Sequence, residues 1–226
     1  MQRYNPFSLI HKALRAMMYD TALTLQQTYF ADVEEAEVAL AKVADVVHEF
    51  EGHAHHEDRF VLPAIEAFEP QVVEAFEKEH VADLEIGNRL QTLLNIYRSL
   101  STSEERINCG SCINKAFRDF MVFNIEHMGK EEVDINRVLW ANYTDQELLD
   151  INARLVASIP PAEKIVVTKW MLRSINKVEA INWLKAVKQT APAFVFDELY
   201  QMAETELPAQ IRSTVLEAIM EEELAF

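Results

Sequence analysis

Two short stretches carry side chains whose types and spacing suit metal chemistry. His53-Ala-His-His-Glu57 sets a histidine and a glutamate four residues apart, and His127-Met-Gly-Lys-Glu131 repeats the pairing. On a helix such residues share a face, so each stretch offers an imidazole beside a carboxylate. Single histidines, His11 and His80, lie before and between the two pairs. Imidazole nitrogens bind iron, zinc, manganese or copper, and a carboxylate can bridge two ions. An ionised carboxylate among Val, Phe and Leu is costly unless it is paired or metal-bound. Glu57 and Glu131 both fall among such neighbours, which points to a two-metal site.

The elements that must position these residues read as four long helices. The first runs from about Pro6 to Phe30, with Phe7, Ile10, Leu14, Met18, Thr21 and Leu25 as its apolar stripe and His11 at the edge. Asp32 caps a second helix, whose core face reads Val43, Val46, Val47, Phe50, His53, Glu57, Val61 and Ala64. A third, from about Gln71 to Leu100, presents Val73, Phe76, His80, Leu84, Gly87, Leu90 and Leu94. The fourth ends near Asn142 and presents Phe117, Phe120, Asn124, His127, Glu131, Ile135 and Val138, with an irregular opening expected around 108–112.

Folded up and down with short turns, residues at one height are mirrored about each turn. The midpoints between His11 and His53, Glu57 and His80, and His80 and His127 fall at Asp32, near Phe68-Glu69 and near Ser103. All three lie in expected turns, so the four histidines come to one level. The expected fold is all-α: an antiparallel up-down four-helix bundle over 1–143, followed by a smaller C-terminal helical lobe over 144–226. Thr144-Asp-Gln-Glu147 is a capping box that opens the lobe, and Pro160-Pro161, Ala191-Pro192 and Pro208 divide it into about five short helices. No repeat is evident there. The lobe is apolar enough to pack and is a candidate docking unit for a protein partner.

Composition narrows the function. Half of the 226 residues are hydrophobic, only 4 are glycine, and the formal net charge is -16, which argues against nucleic acid as a partner. No stretch reaches the ~20 apolar residues of a membrane span. Two cysteines, Cys109 and Cys112, are too few for a disulfide scaffold. They read as ordinary thiols, and the expected location is cytoplasmic. His48 and His55 fall off the apolar stripe and read as surface residues.

At these residues the chain resembles hemerythrin-like proteins of the HHE cation-binding family. The matching features are His11 in HKALR, His53-x-x-x-Glu57 followed by Phe60-Val-Leu-Pro63, Glu79-His80, and His127-x-x-x-Glu131-Glu132, spanning about residues 5 to 142. The resemblance implies a non-haem di-iron centre held by His11, His53, Glu57, His80, His127 and Glu131, with the two glutamates as bridges; zinc or manganese are alternative metals. It implies binding or sensing of dioxygen, nitric oxide or iron in stress response. Alternatives are enzymatic turnover of peroxide, dioxygen or nitric oxide, iron donation for iron–sulfur repair, or a metal-stapled interaction module.

The family's oxygen carriers have a second histidine one turn from the first on helix three, whereas His80 has Phe76 and Leu84 at those offsets. Asp83, His56 or solvent are the candidate replacements. A ferritin-like oxidase wants Glu-x-x-His on two helices; Glu77-x-x-His80 supplies one, but Asn124 stands three residues before His127.

Overall fold

The computed structural model describes residues 3–220; among them every regular element is helical and no strand occurs. Among these residues no helix is long and apolar enough to cross a membrane. The first long helix, α1, is Ser8–Gln27. Asp32 caps α2 (Val33–His56), its carboxylate accepting from the backbone N–H groups of Glu34 and Glu35. The chain then makes one π-turn, Glu57–Val61, and resumes as α3 (Leu62–Glu66). Helix α4 (Pro70–Ser99) starts on a proline, whose missing N–H costs nothing at a helix start.

A capping box of Thr102 and Glu105 opens α5 (Ser103–Lys130). It passes through a second π-turn, Glu131–Ile135, into α6 (Asn136–Asn142). Two expectations need correction here. The opening of α5 is regular through 108–112; the irregular stretch is the π-turn further on. Leu84 is 47% exposed, because the buried line of α4 runs His80, Asp83, Gly87, Leu90, Leu94 in alternating steps of three and four.

By packing, the chain divides into two compact units, Met1–Ser8 with Met17–Ser158, and Leu9–Ala16 with Ile159–Phe226. In the first, α4 packs along both α2 and α5. Its core includes one cluster built from Phe7, Leu62, Ile65, Phe76, Ile135 and Leu139. Helix α7 (Asp145–Ser158) adds Leu148 to that cluster and lies against the Glu57–Val61 π-turn. Arg3 fastens the chain start by donating to the Trp140 and Tyr143 carbonyls at 3.0 and 2.6 Å.

The second unit contains α8 (Pro161–Ser174), α9 (Lys177–Thr190), α10 (Ala193–Glu206) and α11 (Ala209–Met220). From α7 onward the helices begin at 145, 161, 177, 193 and 209, a constant step of 16 residues. Proline stands just before three of these starts, at 160, 192 and 208, and the capping Asn176 before a fourth. Within the unit α8 packs on α10 and α9 on α11. Arg173 of α8 meets Glu206 of α10 at 2.7 Å, and Lys188 of α9 donates to the Ile219 carbonyl of α11 at 3.2 Å. Each contact joins the C-terminal parts of its two helices. Leu172, Leu184, Leu199, Leu207, Val215 and Ile219 fill the interior.

Candidate metal centre

The histidines and glutamates singled out by spacing gather into two overlapping groups. Glu57, His80, His127 and Glu131 each offer a ligand atom, all within 4.8 Å of one another; so do His11, His53, Glu57 and Glu131. The two glutamates belong to both groups. Helix α1 is unbroken from Ser8 to Gln27, and His11, in its first turn, is fully buried. Glu57 and Glu131 are 2% and 0% exposed.

Each His-x-x-x-Glu pair closes on itself across one helical turn: His53 Nε2 lies 3.2 Å from Glu57 Oε1, and His127 Nε2 lies 2.9 Å from Glu131 Oε1. His80, from α4, sits between the pairs. Its Nε2 is buried, 3.5 Å from Glu57 Oε2 and 3.7 Å from Glu131 Oε1.

The far nitrogens of two rings are held from outside. His80 Nδ1 is 2.6 Å from Asp58 Oδ1, and His127 Nδ1 is 2.8 Å from Glu79 Oε2. Lys130 in turn donates to Glu79 Oε1 at 2.6 Å. Such carboxylates fix ring orientation, so that both Nε2 atoms point inward, and raise the donor strength of the imidazole. Asp58 and Glu79 were not singled out as ring partners by the spacing argument. The usable signal was chemical: a histidine ligand needs an acceptor for its other nitrogen, and each acid sits beside a motif residue. Phe76 and Phe123 enclose His127, with ring centres 5.6 and 6.0 Å away.

Without metal the imidazoles share protons with these acids. Burial pulls the His80 pKa down, but hydrogen bonds to Glu131, Glu57 and Asp58 outweigh it and lift it to about 11. His127 is also raised, burial again opposing, because Glu131 and Glu79 bind its protonated form. Glu79 is lowered by Lys130 and His127 in spite of its own burial.

His56 and Asp83 fall in neither group. His56 is half-buried, with its ring 5.9 Å from that of His55. Asp83 is buried one turn from His80 and accepts from Asn124 Nδ2 at 2.6 Å; burial raises its pKa, partly offset by that hydrogen bond. His48 and His55 are exposed. Cys109 is buried and Cys112 exposed, both as free thiols, and burial pushes the Cys109 pKa up.

The donor set of imidazole nitrogens and carboxylates suits iron, manganese or zinc. A buried imidazole nitrogen facing two buried carboxylates is the environment a cation resolves. The model of the hemerythrin HHE cation binding domain matches residues 5–139, and the chain belongs to this family. No curated protein and no solved structure matches the chain. The protein is therefore an all-helical member of a cation-binding family whose buried His/Glu groups are suited to metal.

Proposed function

We propose that the protein holds a non-haem di-iron centre and uses it to bind or sense dioxygen, nitric oxide or iron in a stress response. The ligands are His11, His53, Glu57, His80, His127 and Glu131. The observation that carries this reading is the sharing of Glu57 and Glu131 between two four-residue groups. His11 and His53 would hold one ion and His80 and His127 the other, with Glu57 and Glu131 available to both. An iron pair would supply redox-active Lewis acidity there; the chain supplies fixed imidazole and carboxylate donors in a buried setting. Asp58 and Glu79 orient His80 and His127, and Asp83, engaged by Asn124, supports the wall of the site. Two imidazoles and two shared carboxylates per ion would leave room in its coordination sphere for a small molecule.

That openness also favours a second reading, turnover of peroxide, dioxygen or nitric oxide. In both readings residues 1–143 form an antiparallel up-down four-helix metal-binding domain in the cytoplasm, and 144–226 form a C-terminal helical lobe available to a protein partner.

The test is metal content by variant. His53→Ala and His127→Ala each lower bound iron sharply, while the exposed His55→Ala leaves it unchanged. Equal iron in all three contradicts the ligand assignment.

A further inference from the structure

The two halves of the site differ in the layer next to the glutamates. Each glutamate opens a π-turn, whose wider winding places residue i+5 over residue i. Leu62 thus follows Glu57, and Asn136 follows Glu131. Leu62 is 2% exposed and Asn136 is 0% exposed. Phe7, Val61, Ile65, Val73, Phe76 and Ile135 make this region a buried apolar cluster. The 5.6 Å contact between the Phe76 and His127 rings ties it to the site.

Asn136 is a buried amide beside this apolar layer. Its backbone N–H bonds to the Glu131 carbonyl across the π-turn. Its side-chain Nδ2 donates to the Glu132 backbone carbonyl, one turn back, at 3.0 Å. The other end, Oδ1, is buried and has no hydrogen-bond partner. A buried acceptor without a donor is costly, and it is rare in native proteins unless water or a ligand meets it. Leu62 shows that an apolar side chain fits the matching place on the other motif, so chain geometry alone does not demand an amide here.

We propose that Asn136 Oδ1 holds an internal water against the Glu131 carboxylate, one O–H donated to each. The layer beyond Glu131 then carries a water where the layer beyond Glu57, at Leu62, is apolar. Oδ1 can only accept, so its occupant must bring an O–H, and the Glu131 carboxylate gives the same molecule a second polar contact, as a buried water requires. Protic small molecules are therefore favoured at this side of the site. The proposal deepens the di-iron reading, but the water site itself can be tested without metal.

The experiment is a crystal structure of the full chain, metal-free and zinc-loaded, at a resolution that shows ordered water, with Asn136→Leu as the matching variant. The expected result is a water within hydrogen-bond distance of Oδ1 in the unaltered protein and none in the variant, with helical content and zinc content equal. An Oδ1 that is dry, or that meets a protein donor, overturns the proposal. Should the variant fail to fold, water-to-amide nuclear Overhauser contacts at the Asn136 Nδ2 protons of the unaltered chain decide it: a long-lived water supports the site, and its absence overturns it. Failure to load zinc or iron contradicts the di-metal reading and leaves the water result standing by itself.

Discussion

Glu57 and Glu131 hold equivalent positions on two different helices: each closes a His-x-x-x-Glu pair and each is the first residue of a π-turn. A π-turn inserts one extra residue into a helix and is common at functional sites. Here it lets the carboxylate meet its own histidine one turn back while the helix beyond shifts register to pack Leu62 and Asn136.

Both glutamates belong to both groups, so in the proposed di-metal centre either substitution would remove a ligand from each ion. Glu57→Ala and Glu131→Ala each abolish the coupled pair, leaving at most one weakly held ion and altered spectra. Two ions with unchanged spectra after either substitution would show that the residue is not a bridge.

Asp58 and Glu79 act through the rings they hold. Asp58→Asn and Glu79→Gln keep shape but weaken the acceptor, and each lowers metal affinity by roughly 10- to 100-fold. Competition against a chelator of known affinity measures this. Affinities equal to the unaltered protein would reduce both acids to surface ion-pair partners.

The protonation of His80 gives opposite pH responses with and without metal. Its folded pKa is raised from 6.5 to about 11. In metal-free protein the protonated ring stabilises the fold fully below pH 6.5, and that contribution is lost as pH rises through about 11. Metal requires the neutral imidazole, so uptake at neutral pH releases protons and strengthens as pH rises. Calorimetry of metal binding in buffers of different ionisation enthalpy reads the released protons directly. Proton-neutral binding at pH 7 would contradict the charge state derived for the empty site.

Gly110 is required by a close approach. A Cβ there would lie 2.1 Å from Phe30 Cγ, near the root of a ring packed edge-on to Tyr97, whose hydroxyl donates to the Phe30 carbonyl at 2.7 Å. Gly110→Ala therefore destabilises by about 1–3 kcal/mol in denaturant unfolding, without loss of metal sites. Gly52 and Gly129 have open space where a Cβ would go, and alanine there stabilises the helices by about 0.5–1 kcal/mol.

Helical periodicity made much of this legible in the sequence. The apolar stripes gave the extents of the long helices to within a few residues, and the spacing pointed to His11, His53, His80 and His127, each of which falls in one of the two groups. The rest carries weaker signals. A π-turn adds one residue without any composition of its own, so Glu131–Ile135 read as ordinary helix. Asp58 and Glu79 look like solvated surface acids until a neighbouring helix brings a ring nitrogen to them. Leu84 was misplaced because a stripe extended by fours drifts off the face that Asp83 and Gly87 occupy. The five-helix step of 16 residues depends on turn geometry, which proline supplies at 160, 192 and 208 and Asn176 supplies by capping, too sparse a signal to read as a repeat.

The most direct measurement is metal analysis of the protein produced with added iron, with absorption spectra taken before and after exposure to air. Two irons per chain and a near-ultraviolet charge-transfer band that appears on oxidation are the result this account predicts. No iron above background, or a single spectroscopically silent ion, would contradict it and leave the clustered histidines and glutamates as a structural staple.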